Sequence, residues 1–396
     1  MKKILITGAA GFLGQLSIDY FKRRYKLYLI DKKVIKQKNF LKVDIKNFKE
    51  VNDTFQRIKP DIVLHYASEI FDTNNKSQIN NNNIEGTFNL VKAAKKFKVK
   101  KFIFTSTFSI FEKNYKYLID ETEPISCSNY YGLSKAETER ILLSTEKNFD
   151  VTIFRCPVIV EKTRAHRLGI LFEFLKDNCT LWILGSGNNK IQFLSAYDLF
   201  LMTERSFKLK GKNIFNIGTE NVLSFRETFE FLIEKTNSKS KIRYFNKFLG
   251  LAILKVLSSL RLINFIDYHN KLLVSNIVMD ISRIKKILKY KPKKSNADLL
   301  LDLNQRTYQG KSTGYISGGL DPSQSDVIQK FPFSTDTNSV DVGDLTEVRH
   351  GGAGHSSTSH GYVAGGLGVP PSYPPFATDK IEKDFIKAIL ISRNLI

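Results

Sequence analysis

The run Ile4-Leu5-Ile6 leads directly into Thr7-Gly8-Ala9-Ala10-Gly11-Phe12-Leu13-Gly14, and this feature limits the fold most. Glycines at this spacing let a strand turn at once into a helix, and they bring bare backbone amides up to the positive end of that helix. The β-then-helical alternation continues downstream. Strands are predicted at Ile4–Ile6, Leu27–Ile30, Leu41–Val43, Ile62–His65, Phe102–Thr105 and Val151–Phe154. Helix-length stretches lie between them, over 12–23, 47–58, 84–97 and 130–147. Crossovers too long for hairpins require an α/β doubly wound parallel sheet with helices on both faces. Ligands of such sheets bind beyond the carboxyl ends of the strands, so site residues are sought there.

Glycines of this kind admit a pyrophosphate to the helix end, which makes Gly8, Gly11, Phe12, Leu13 and Gly14 cofactor-binding candidates. Asp31 closes the second strand. A carboxylate there accepts both ribose hydroxyls of NAD and repels the 2′-phosphate of NADP. Lys32 and Lys33 would attract that phosphate, yet NAD remains the expected cofactor. Asp44-Ile45 ends the third strand, where a carboxylate and an adjacent amide can meet an adenine amino group.

The catalytic candidates are Tyr131 and Lys135, four residues apart and therefore on one helical face. A nearby ammonium should stabilise a phenolate, so the pair can exchange a proton with a substrate hydroxyl while nicotinamide exchanges a hydride. The Tyr-x-x-x-Lys spacing also occurs at Tyr28/Lys32, across a strand end, and at Tyr290/Lys294, around Pro292. Neither of those presents a clean helical face. A hydroxyl just past the fifth strand would hold the reacting oxygen. Thr107 and Ser106 both qualify.

Together these residues resemble the extended short-chain dehydrogenases/reductases, the NAD-dependent epimerase/dehydratase family. The resemblance extends through Asp61–Ser68, which brings Ala67 to the cofactor side, and through Asn83–Thr87, Phe102–Phe111, Asp120–Pro124 and Arg155–Pro157. Gly185–Gly187, Tyr197–Leu199, Asn216–Gly218 and 280–292 are similar to the family's smaller substrate domain. It implies a Rossmann-type sheet and selects Thr107 as the catalytic hydroxyl. It further implies a nucleotide-sugar substrate, epimerised at C4 through a transient keto sugar, and a homodimer. Phe108-Ser109 stands where sugar 4,6-dehydratases carry an acidic pair, which argues against dehydration. Phe111-Glu112 replaces the usual Tyr-Gly. Ile191, followed by Gln192-Phe193, replaces an arginine that grips the substrate diphosphate. Two rival readings are a one-way NAD(P)-dependent reductase of a steroid-like, flavonoid-like or lipid-linked alcohol, and a non-catalytic NAD-binding scaffold.

The net charge of +22 brings nucleic acid to mind, but the lysines are dispersed, with no zinc finger or recognition helix, so an anionic small molecule or membrane surface fits better. Cys127, Cys156 and Cys179 form neither a disulfide frame nor a zinc site, and no metal is expected. Met1-Lys2-Lys3 meets the first strand without a signal peptide, and Lys255 and Arg261 interrupt the apolar run 248–265. A cytoplasmic protein is expected. The stretch Asn246–Phe265 reads as an amphipathic helix on the substrate domain, with an in-plane membrane contact as its second reading.

Charge also divides the chain. Residues before Lys311 carry +24 and the rest −2, and the composition shifts there towards Gly, Ser, Thr and Pro. The expected domains are 1–155 for cofactor and catalysis, 156–310 mainly for substrate, a Gly/Ser-rich β-repeat fragment at 311–378 and a helix at 379–396. Gly314–Leu320 recurs as Gly361–Leu367, a period resembling a partial kelch-like repeat. His350, His355 and His360 lie there in a loop-like setting without ligand spacing.

Overall fold

The computed structural model describes residues 1–69, 80–145, 148–161, 168–259 and 275–307, and the backbone of strands between 313 and 368. The chain divides into two compact units. One comprises Met1–Ala165, Glu173–Ala252 and Ile266–Leu303; the other comprises His166–Phe172, Ile253–Phe265 and Asn304–Ile396.

The strands of the first unit are β1 (Lys3–Thr7), β2 (Lys26–Asp31), β3 (Phe40–Lys42), β4 (Ile62–His65), β5 (Lys101–Thr107), β6 (Asp150–Cys156), β7 (Val158–Val160), β8 (Leu181–Leu184), β9 (Phe193–Ser195), β10 (Lys212–Asn216) and β11 (Ile242–Phe245). Seven of them form one parallel sheet in the order β10-β6-β5-β4-β1-β2-β3. All six strands expected from the sequence are present in it. Alternate residues feed opposite faces. Ile4, Ile6, Leu29, Leu64 and Phe215 pack with Phe21 and Phe200 on one side. Leu5, Ile30, Val63, Phe102 and Phe104 pack with Val51, Phe55 and Leu90 on the other. Because both faces are covered, β4 and β5 are buried at every position. Strand order reverses between β1 and β4, which opens a crevice at their carboxyl ends.

The sheet and its core draw on residues beyond 155: β10 is the seventh strand, and Leu199, Phe200, Ile284 and Tyr290 belong to the core around β1 and β6. Distant segments return to cover apolar sheet that the first 155 residues leave bare. In the second unit, the kelch-type reading gains no support. Thr313–Leu320 begins a three-stranded antiparallel sheet with Gln324–Pro332 and Val340–Asp344. The second sequence copy instead closes a two-stranded ribbon, Gly361–Ala364 pairing back on Ala353–Ser356. Similar sequence thus takes a later partner once and an earlier one the second time, so no blade repeats. The side chains of the three tail histidines and the whole of 379–396 lie outside the described residues.

His65 ends β4 at 1% exposure, with Nδ1 2.7 Å from the Thr7 hydroxyl and Nε2 2.8 Å from that of Thr87. Burial, aided by the Lys135 charge, pushes its pKa down to about 3. The unfolded chain therefore takes a proton near the ordinary 6.5 that the folded chain refuses. Stability is full above that value and falls as pH drops towards 3, by at most about 1.4 kcal/mol per pH unit from this group. Urea unfolding at a series of pH values should show this acid slope, and His65→Gln should flatten it.

Candidate active site

The turn after β1 is built around two close backbone approaches. Gly8 has φ +70°, and a Cβ there would lie 2.5 Å from the Ala67 amide nitrogen. A Cβ on Gly14 would lie 2.1 Å from the Gly8 carbonyl oxygen. Phe12, Leu13 and Gly14 form the first turn of the helix Phe12–Phe21, whose cap residue Gly11 brings no side-chain oxygen to the amide end. Beside this turn lies a cavity of about 210 Å³. Gly8, Gly11, Asp31, Asp44, Ile45 and Ala67 all line it, drawn together from the ends of β1, β2, β3 and β4.

Asp31 is anchored before any ligand arrives. One carboxylate oxygen accepts from the Ala10 amide at 3.0 Å and the other from the Lys33 amide at 2.9 Å. Each oxygen keeps a second acceptor site. Lys32 is ion-paired with Glu69, so its charge is already answered by a carboxylate on the cavity wall. Asn83 holds that wall: its side chain accepts from the Glu69 amide at 2.8 Å and donates to the Ser134 hydroxyl at 2.9 Å.

The helix Tyr130–Ser144 carries Tyr131 and Lys135. Asn129 caps it by accepting from the Gly132 amide at 2.7 Å. Glu112, from the altered Phe-Glu pair, accepts in turn from the Asn129 amide (2.9 Å) and the Ser128 hydroxyl (2.6 Å). Burial works against its charge, yet these hydrogen bonds hold the Glu112 pKa down to about 2. Phe111 is wholly buried. The departure at 111–112 therefore braces the start of the helix Tyr130–Ser144.

Thr107, at the end of β5, donates to the Ser109 hydroxyl at 3.0 Å and hydrogen-bonds Tyr131. Ser106 instead donates to Glu139, about two turns further along the same helix. The choice that the residues alone left open thus has a geometric answer: Thr107 faces the tyrosine. Lys135 is 4% exposed, with its ammonium 2.9 Å from the Thr105 carbonyl and 5.7 Å from the Tyr131 ring centre. Burial brings the Lys135 pKa down to about 7. Burial also raises the Tyr131 phenol above its ordinary value, the hydrogen bond with Thr107 only partly opposing it. The phenol is thus not lowered as the lysine's proximity suggested: both groups are desolvated, which works against the charged form of each.

Two neighbours were missed by sequence reasoning. Cys156 is buried within electrostatic reach of both Tyr131 and Lys135, and burial drives its thiol pKa up. Glu139 continues the four-residue spacing of Tyr131 and Lys135 and forms a buried ion pair with Arg155 at 2.8 Å, the two side chains 2% and 5% exposed. That repeat of four was the available signal. On the substrate side, Ile191 bridges Ile277, and the buried Gln192 donates its amide to the Thr219 carbonyl at 2.8 Å. Neither places a cation where an arginine was sought.

Residues 4–218 match the NAD dependent epimerase/dehydratase family. The chain belongs to that family. Human dTDP-D-glucose 4,6-dehydratase is 30% identical over 269 residues, covering 61% of this chain and 77% of the human one. A putative UDP-glucose 4-epimerase of Methanocaldococcus jannaschii is 25% identical over 263 residues, covering 61% and 85%. Among solved structures, UDP-glucose 4-epimerase of Thermotoga maritima with UDP-glucose superposes with a TM-score of 0.63 at 21% identity, covering 78% of this chain and all of that one. WbmG of Bordetella bronchiseptica in complex with NAD gives 0.62 at 19% identity, covering 77% and 93%. The same Rossmann-type fold thus serves this member of the epimerase/dehydratase family. The glycine cradle, the anchored Asp31 and the cavity between them fit the family's NAD.

Proposed function

We propose that this enzyme is an NAD-dependent sugar-nucleotide epimerase, acting at C4 through a transient keto sugar. The observation that carries this reading is the Thr107–Tyr131–Lys135 group at the end of β5, beside a turn that contains no carboxylate. Phe108 packs into the core and Ser109 is engaged by Thr107, so position 109 offers no acid to expel a substrate hydroxyl. That favours epimerisation over dehydration.

Bound NAD would be held by Gly8, Gly11, Phe12, Leu13 and Gly14 at its diphosphate, by Asp31 at its ribose, and by Asp44, Ile45 and Ala67 along the cavity wall. It supplies the hydride acceptor and donor. Tyr131 exchanges the proton of the reacting hydroxyl, and Thr107 orients that oxygen. Lys135 meets the ribose and offers its charge to the phenolate as it forms. Incubation with NAD and a panel of nucleotide sugars, read by NMR, should show an epimer without net consumption of cofactor.

A second reading, a one-way reductase of a lipid-linked or other non-nucleotide alcohol, draws on the apolar Ile191. It requires stoichiometric oxidation of NADH or NADPH, and the same assay detects that. Asp31→Ala should weaken NAD by roughly tenfold to a hundredfold, the scale of a charge-assisted hydrogen bond. It should weaken NADP much less. Calorimetric titration with both dinucleotides checks this, and a wild type that prefers NADP overturns the assignment of Asp31.

A further inference from the structure

We propose that the outer face of the first turns of the helix Lys247–Ser259, residues 247–252, with the adjoining β8–β11 ribbon, docks on an anionic phospholipid bilayer. The inference is independent of the chemistry proposed for the active site. A helix on a water-facing surface turns polar residues outward; this one does the opposite. Gly250 is buried against the sheet, where a Cβ would meet the Leu184 side chain at 2.4 Å. Phe248 is 79% exposed and Leu249 55%.

The ribbon adds aromatic groups suited to a bilayer interface. β8 and β11 pair only with each other, with Trp182 in register with Arg243. Trp182 is 60% exposed, and its ring meets that of Phe245 edge to face at 6.2 Å. An indole offers an apolar body with one polar N–H, which favours the headgroup level.

Charge selects the occupant. From Lys235 to Ile266 the sequence carries seven basic residues and no acidic one. Lys239, Lys241 and Arg243 are exposed in the structure. A second copy meeting this patch across a twofold axis would set these cations against themselves. An anionic lipid surface complements both the charge and the apolar side chains. Among the described residues no helix is long and apolar enough to cross a membrane, so the contact lies in the plane.

Trp182 is the chain's single tryptophan and reports on the contact directly. The full-length protein should float with vesicles of phosphatidylcholine mixed with phosphatidylglycerol, and about tenfold less with phosphatidylcholine alone. Binding should weaken as salt rises. Trp182 emission should shift to the blue and be quenched by brominated lipid. Phe248→Ser combined with Leu249→Ser should reduce binding by about tenfold or more with thermal melting unchanged, since both side chains are exposed. Absence of binding to the anionic vesicles overturns the proposal, as does binding that ignores the double substitution or leaves Trp182 emission unmoved. A dimer that forms without lipid and is lost in the double variant also overturns it, because a second copy would then cover the face.

Discussion

Tyr131→Phe is expected to fold and bind NAD like the parent while turnover falls by roughly 10²–10⁴-fold, the usual scale of a positioned proton donor. The substitution removes one oxygen and keeps the ring that packs near the Lys135 ammonium. It leaves no orphaned partner, because the Thr107 hydroxyl still donates to Ser109. Calorimetry should give an unchanged dinucleotide affinity, and the NMR assay should show epimer formation all but lost. Turnover within tenfold of the parent would remove Tyr131 from the mechanism.

The largest effect on stability is expected at Glu139. Its carboxylate takes three hydrogen bonds from the Arg155 guanidinium and one from Ser106, all buried. Glu139→Ala leaves the Arg155 charge in the interior, hydrogen-bonded to the Glu121 carbonyl at 3.1 Å and lying over the Phe111 ring, with no carboxylate to answer it. Breaking a buried pair from one side costs about 3–5 kcal/mol. Chemical denaturation should show a loss of that order. Replacing both residues by methionine should recover much of it, since two apolar groups leave no charge unanswered. A single variant that melts like the parent would show that water reaches Arg155 and that the pair is not the tie between β6 and the helix Tyr130–Ser144.

The cofactor cavity was the most legible part of the molecule. Gly8, Asp31, Asp44 and Ala67 each follow a strand, and parallel strands put all their carboxyl ends on one edge, so period and punctuation alone bring these residues together. Side-chain partners were less legible. Ser106 and Thr107 are adjacent in β5 and both reach the helix Tyr130–Ser144, and only the place where each meets it, Glu139 for Ser106 and Tyr131 for Thr107, tells them apart. Glu112 could be seen only as a departure from a family pattern; its brace on Asn129 spans a loop whose path the sequence does not reveal. The ionisation of Tyr131 and Lys135 was misjudged because their spacing announces proximity but not dryness. β10 lies in a stretch that the family pattern ascribes to substrate, and its place beside β6 depends on a long-range return.

That return also sets an order of events during synthesis. β6 ends at Cys156, and its partner begins only at Lys212. At about 5–20 residues per second, the ribosome needs roughly 3–11 seconds to make the intervening stretch. During that interval β6, with Val151, Ile153 and Phe154 along it, has one unpaired edge, a form prone to pair with a neighbouring nascent chain. Ile284, Leu288 and Tyr290, which cover the same side, emerge later still. Aggregation in crowded expression should therefore be decided on the ribosome, before the active site exists, and slower translation would lengthen the exposure rather than relieve it.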